Sequence, residues 1–430
     1  MNGIFLGIVL IAFLAAAWRE LGHVPADGVQ SPMEALSAGM ISSASGAVEL
    51  ALGLVGVMTL FLGLMKVAEA GGLLVIIARL IRPLMTRLFP EVPPDHPAMG
   101  AMILNLSANA LGLGNAATPF GIRAMQELDK LNTRPGTASN SMALFLAINT
   151  SGITLLPTGV IAIRAAAGSA DPAAILPTTL FATACATIAA ISAAFFYRRF
   201  FPVGQPEPGE VPPERPWVNA QDQEAVPDSG TAYPLWVSVL ALCGIVALIP
   251  ATIVWGRVIS PWIVPGLMVG FLLFGALRGV RIYEVFVEGA KDGFQVALRI
   301  IPYLVAILVA VGMFRASGAM DAMVSGLGSL TSAFNLPPEA LPMALLRPLS
   351  GSGAYGVMAA IINDPTIGPD SYVGMLVTTL QGSTETTFYV LAVYFGAVQI
   401  RRIRHTLAAA LTADVVAVIA AVAICSYLFL

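Results

Sequence analysis

Charge is scarce in this chain. Asp, Glu, Lys and Arg make up 11% of its 430 residues, against 57% hydrophobic residues and a mean hydropathy of +0.82. A soluble domain carries about 25% charged residues, so the composition excludes a soluble globular protein and points to an integral membrane protein. The net charge is −3 with no basic block, which removes nucleic acid as a partner. Cysteine is nearly absent: Cys185, Cys243 and Cys425 lie far apart in apolar runs without CxxC spacing, and read as packing residues. The histidines His23, His96 and His405 fall near loops or span ends, without HExxH or paired spacing, so neither a metal site nor a cofactor is expected. A Walker GxxxxGK[ST] loop is missing, which argues against direct ATP drive. Gly112-Leu-Gly-Asn115 is too short and too embedded to serve as a dinucleotide loop. Nucleophile–base pairs are also lacking, so an enzyme is not expected.

What is abundant is apolar sequence in runs long enough to cross a bilayer. Such runs cover 4–18, 46–65, 141–165, 175–197, 235–254, 258–276, 296–314, 372–397 and 406–429. The first lacks a basic region before it, so it reads as an anchor or ordinary first helix rather than a cleaved signal. Two further runs, 97–120 and 341–363, are interrupted by Asn105-Leu-Ser-Ala-Asn109 and Pro348-Leu-Ser-Gly-Ser-Gly353 and read as broken or re-entrant helices. The segments 72–89 and 320–334 are shorter and amphipathic. The first carries Arg79, Arg82 and Arg87 beside Leu, Ile and Met, which fits a helix lying in the interface or one packed on the bundle. The expected fold is therefore all-α and polytopic, with about nine transmembrane helices plus two broken ones.

One long hydrophilic stretch interrupts this pattern. Residues 201–234 are rich in Pro and acidic side chains, the composition of a flexible linker. It separates a first half, 1–200, from a second, 235–430, and the halves resemble each other. Shifts of 248, 243 and 232 residues align Ala47–Ala51 with Gln295–Arg299, Leu106–Ala110 with Leu349–Gly353, and Asn149–Thr154 with Gln381–Thr386. Each match is short, but their shared order points to a two-fold repeat. Placing the basic clusters near Arg79, Arg123, Arg198, Arg278 and Arg401 in the cytoplasm gives a consistent path. The linker is then cytoplasmic, 235–254 and 258–276 form a hairpin, and the second half runs opposite to the first. Arg19, Arg257 and Arg315 fall outside on this path.

Polar breaks in membrane helices are costly unless they face protein or a water-filled cavity. Four are available. Their polar side chains are Asn105, Ser107, Asn109 and Asn115; Asn149, Thr150, Ser151 and Thr154; Ser350 and Ser352; and Gln381, Ser383, Thr384, Glu385 and Thr386. Nearly all are neutral amides and hydroxyls, which suit a small polar solute. Ser and Thr also bond their own helix backbone routinely, so Ser107 and Ser350 are equally read as packing. The Asn amides are harder to bury idly, because each has two donors and an acceptor oxygen to satisfy. Glu385 is the sharpest candidate, for proton coupling, cation binding or substrate contact; its structural alternative is an ion pair with Arg347 or Arg299. Glu49 and Asp414 lie in spans without polar company, and Asp370 reads as interfacial.

Long stretches resemble a known family. Leu62-Gly-Leu-Met-Lys-Val-Ala-Glu-Ala70, Phe89–Ala101, Asn109–Pro119 and Phe145-Leu-Ala-Ile-Asn-Thr-Ser151 are similar to spore maturation protein A. Ile301–Ala306, Phe314–Ala319, Arg347–Gly353, Gln381–Gly396 and Arg404-His405 are similar to spore maturation protein B. The resemblance implies a fusion of the two, each half carrying a nucleoside-recognition, or Gate, domain, together with membrane location and a transport role. Residues and resemblance together lead to one expectation. The chain is a multi-pass protein of the cell inner membrane with two inverted repeats. It moves a small polar solute by alternating access, coupled to H+ or Na+. A membrane scaffold without transport is the alternative, and a homo-oligomer is left open.

Overall fold

Serine starts the central helix of each half. In the computed structural model, which describes residues 2–24, 30–112, 114–152, 154–202, 233–332 and 334–430, Ser139 caps helix α6 (Asn140–Ser151) by accepting from the Met142 N–H. Ser371 caps α14 (Tyr372–Ser383) by accepting from the Gly374 N–H. A side-chain oxygen at this place satisfies one of the N–H groups that a helix start leaves open. The two caps are 232 residues apart, the shift that relates their sequences, and both helices are 12 residues long. Each stops in mid-bundle. The chain resumes as α7 (Thr158–Ala166) after the first and α15 (Thr387–Ala397) after the second.

The described residues are all-helical, without a named strand. Helix α1 (Asn2–Leu21) precedes α2 (Pro32–Ala70), which bends by 68° near Gly71 into α3 (Leu73–Leu88). Helices α4 (Pro97–Ala110) and α5 (Gly114–Lys130) form a short hairpin ahead of α6–α7 and α8 (Leu176–Tyr197). The second half repeats this order. Helix α9 (Leu235–Leu277) precedes α10 (Ile282–Ala316) and α11 (Ala319–Ser332), followed by the pair α12 (Leu341–Leu346) and α13 (Gly351–Ile362), then α14–α15 and α16 (Thr406–Phe429). Of the expected linker, residues 203–232 lie outside the described residues.

Corresponding helices pack side by side in opposite directions. Along α2 and α10, Gly39 faces Gly312 and Ala316 at one end, while Gly63 faces Phe286 and Lys66 faces Gly289 at the other. Small residues at the crossing let two long backbones approach closely. For α8 and α16, Tyr197 meets Thr412 at one end; at the other, Thr178 and Cys425 both reach Thr379 of α14. The broken helices follow suit. From one end of the bundle to the other, Ala138 lies by Arg402, Phe145 stacks on Tyr394, Thr150 bonds Glu385 and Arg164 pairs with Asp370.

Several elements differ from the sequence expectation. Residues 105–109 do not break their helix; α4 runs on to Ala110 and the turn follows at Leu111 and Gly112. The amides of Asn105 and Asn109 find partners on neighbouring helices, and Ser107 Oγ donates back to the Ile103 carbonyl, so the backbone has no reason to open there. Helix α2 has 39 residues, roughly 58 Å at 1.5 Å per residue, well beyond the ~30 Å hydrocarbon core. Helix α9 is a continuous helical run of 43 residues. Its two ends nevertheless both lie by the α2–α3 bend, Tyr233 at Arg79 and Gly275 at Val67, so the run doubles back.

Among the described residues, two helices alone are long and apolar enough to span a membrane, Leu176–Tyr197 and Thr406–Phe429. The bent pair Thr59–Ala70 with Leu73–Leu88 makes a third. The expected count of about nine is not confirmed among the described residues. Part of the reason is visible in the fold: α6 with α7 and α14 with α15 are pairs of short helices meeting at a break, each helix too short to span alone.

Candidate functional site

Three asparagines from two helices form one network at the centre of the first half. Asn149 Nδ2 donates to Asn105 Oδ1 at 2.7 Å, and Asn109 Nδ2 donates to Asn149 Oδ1 at 2.8 Å. Asn105 Nδ2 in turn donates to the Ala117 carbonyl at 2.7 Å and to the Tyr394 hydroxyl at 3.1 Å. Asn105 and Asn149 are buried; Asn109 is half-buried and ends the chain of amides. Buried amides need such partners, and the network ties α4, α5, α6 and α15 together.

The tip of the α4–α5 hairpin touches the break that follows α6. The Leu155 N–H donates to the Ala110 carbonyl at 2.9 Å. Gly112 has a φ of +75°, and a Cβ there would stand 2.6 Å from the Leu156 carbonyl oxygen. Both the left-handed backbone and the close approach call for glycine. The second half repeats the motif with different chemistry. Its α12–α13 turn carries Pro348, whose carbonyl accepts from the Phe388 N–H at 3.1 Å, and Arg347, which is buried. Arg347 Nε donates to the Gln381 carbonyl at 3.1 Å and Nη1 to Thr386 Oγ1 at 3.0 Å. Gln381 Oε1 is buried without a hydrogen-bond partner among the described residues.

Glu385 lies where the two breaks meet. Its N–H donates to the Thr150 carbonyl at 2.8 Å, and its Cγ is 3.8 Å from where a Cβ on Gly152 would be. Its carboxylate is 3.9 Å from Arg347 Nη2 and 44% exposed, so the ion pair weighed from the sequence is present but loose.

The remaining hydroxyls separate into groups. Those of Ser107, Thr150, Ser151 and Ser383 donate to carbonyls three or four residues back in their own helices, which is how packed Ser and Thr satisfy themselves. Ser350 caps α13 through the Gly353 N–H. Thr154 is half-buried beside the first break, and Thr384 lines a small pocket with Ser383 and Asp414. Asn115 and Ser352 sit in the first turns of α5 and α13, and their side chains lie outside what the structure describes.

Tyr394, Arg164 and Asp414 went unweighted or underweighted in the sequence. Arg164 is fully buried in α7 and donates to Asp370 Oδ1 at 2.8 Å, to the carbonyls of Pro369 and Asp171, and to Ser169 and Thr378. An arginine inside an apolar run was the available signal. With Arg19 on the Ser317 carbonyl and Arg315 on Asp364 at 2.6 Å, it marks one end of the bundle. Two of the three basic residues left outside by the charge rule are thus engaged in fastening helix ends there. The opposite end is fastened by Arg404, which donates to the Ala138 carbonyl and Asn140 Oδ1, and by the backbone bridge of 136–138 to 401–402. Burial, with Arg404 and Arg198 adding to it, pushes the neighbouring His405 down to about 4, so this imidazole is neutral at physiological pH. No group of three His, Cys, Asp or Glu placed to hold a metal occurs among the described residues.

Residues 51–167 and 297–401, the segments that hold both breaks, match the Gate family, described as nucleoside recognition. The chain belongs to that family. Spore maturation protein B of Bacillus subtilis (strain 168) is 46% identical over 166 residues, covering 39% of this chain and 92% of that protein. Spore maturation protein A of the same organism is 50% identical over 162 residues, covering 37% of this chain and 83% of that protein. Two relatives, each matched over most of its length by under half of this chain, are consistent with a fusion of the two. No solved structure matches. Apolar helices and Gate membership together make this a membrane protein.

Proposed function

We propose that this Gate-family chain is a secondary transporter of a small polar, nucleoside-like solute, working by alternating access and driven by H+ or Na+. One observation carries the reading: two broken helices from opposite halves, running in opposite directions, meet at mid-bundle through Glu385 and Thr150. Breaks of this kind free amide and carbonyl groups for a solute or ion in the middle of a membrane. The asparagine network and Gln381 offer neutral donors and acceptors, the groups that pair with the edge of a nucleobase, and the family's description favours the same class. Glu385 supplies the ionisable element.

In this reading 1–200 and 235–430 are inverted repeats in the cell inner membrane, joined by a cytoplasmic linker. The Arg164–Asp370 fastening and the one formed by 136–138 with 401–404 then open in turn, each admitting water to one side of the breaks.

The test is uptake of radiolabelled uridine and adenosine, alongside amino acids and dipeptides, into proteoliposomes holding the full chain. Saturable uptake lost in Asn149→Ala is the expected result. Glu385→Gln should change the ion dependence, and an unchanged dependence removes Glu385 from coupling. Absence of both uptake and ligand-induced thermal shift across the panel would instead favour a scaffold.

A further inference from the structure

Asp414 looked isolated in the sequence, a carboxylate in an apolar helix. In the fold it faces the second break. It is 6% exposed, and its Oδ2 accepts from Thr387 Oγ1 at 2.7 Å, the first residue of α15. Its Oδ1 is buried with no hydrogen-bond partner among the described residues. It lines a pocket together with Arg347, Pro348, Ser383 and Thr384. A bare carboxylate oxygen without a donor is expensive in such a place, and a carboxyl that carries a proton costs far less.

The charged surroundings are sparse. The helices packed against α16, namely α6, α8, α14 and α15, contain no charged residue at all. Their titratable side chains are Cys185, Tyr197, Tyr372, Tyr389 and Tyr394, groups of a type that is neutral at physiological pH. That leaves Arg347, from the α12–α13 turn, and Glu385, on the break. Arg347 lies at ion-pair distance from Glu385 while lining the pocket of Asp414. One guanidinium therefore lies beside Glu385 and lines the pocket of Asp414.

We propose that Asp414 is the proton-carrying site of this protein, and that Glu385 and Asp414 exchange Arg347 as the proton comes and goes. With Arg347 on Glu385, Asp414 holds a proton on Oδ1. When Arg347 turns to Asp414, that proton leaves to water on the open side. A guanidinium lining the same pocket repels a second cation, so the site takes H+ and not Na+. This rests on the transporter reading for its role in a cycle, but not for its protonation.

Infrared difference spectra of the full-length protein in nanodiscs, between neutral and alkaline buffer, test the protonation without a solute. The expected result is a protonated-carboxyl carbonyl band that survives in Glu385→Gln and is lost in Asp414→Asn. Heavy-carbon labelling of aspartate carboxyls should shift that band in the unmutated protein, which covers the case of a variant that fails to fold. A band that is absent, or shifted by glutamate labelling instead, overturns the proposal. In proteoliposomes, Asp414→Asn should lose uridine accumulation driven by a pH gradient while keeping uridine exchange at equal pH. Gradient-driven accumulation that persists in this variant also overturns it. A shifted band with no uptake of any solute sinks only the transporter reading.

Discussion

The two breaks are built alike and equipped differently. Each follows a 12-residue helix capped by serine, and each is touched by the turn of a helical pair from its own half. At the first, that turn brings Gly112 against Leu156, and amides gather around Asn149. At the second, the turn brings Arg347 onto the Gln381 carbonyl and Thr386, with Glu385 and Asp414 close by. Duplicated backbone has thus been given neutral hydrogen-bonding chemistry on one side and charge on the other. On the proposed reading, a neutral polar solute and a proton ask for different groups, and the two breaks divide them.

That division can be broken by mutation. Arg347→Met should have the largest effect, destabilising the protein by about 2–5 kcal/mol, because it leaves the buried Gln381 carbonyl and Thr386 hydroxyl without their charged donor. Thermal unfolding in detergent would show it, and a loss below 1 kcal/mol would mean that the second break does not depend on its guanidinium. Asn149→Ala comes next. It leaves Asn105 Oδ1 and the Asn109 amide without their partner, at a cost of about 1–3 kcal/mol. If Asn149→Ala unfolds at the wild-type temperature, the network does not hold the first break. Gly112→Ala should cost a similar or somewhat smaller amount, about 1–3 kcal/mol, from a positive φ and contact with the Leu156 carbonyl, and should raise hydrogen exchange at 152–157 more than at 384–386. Equal changes at both breaks would show that the hairpin tip braces the whole bundle. Glu385→Gln should change stability least, by under ~1 kcal/mol, since its pair with Arg347 is loose and half-exposed. A larger loss would make Glu385 a structural residue.

Much of this organisation was legible in the chain itself. The polar runs at 149–154 and 381–387 stand out from apolar surroundings, and the fold interrupts its helices at both. The 232-residue shift read from side chains also relates the serine caps and the ends of α6 and α14. Residues 105–109 misled, because polar side chains inside a helix look the same in sequence whether the backbone breaks or neighbours satisfy them. Arg164 was hidden by averaging over a long apolar run, and Tyr394 had no polar neighbour to mark it. Helix α2 was expected to be half as long as it is, since hydropathy reports the apolar stretch and not where the backbone bonds stop.

Sequence alone determined that the chain is a membrane protein, that it is two related halves, and where the central helices break. These follow from composition, period and the cost of polar groups in lipid, all of which are local. Tertiary structure decided which side chains meet. Asn105, Asn109 and Asn149 become one network, and Asp414 faces Thr387 across 27 residues, because helices of the same half pack side by side. Antiparallel packing of the halves then brings Tyr394 to Asn105 and Glu385 to Thr150. Hydropathy carries no record of such pairings; they exist once the helices have packed.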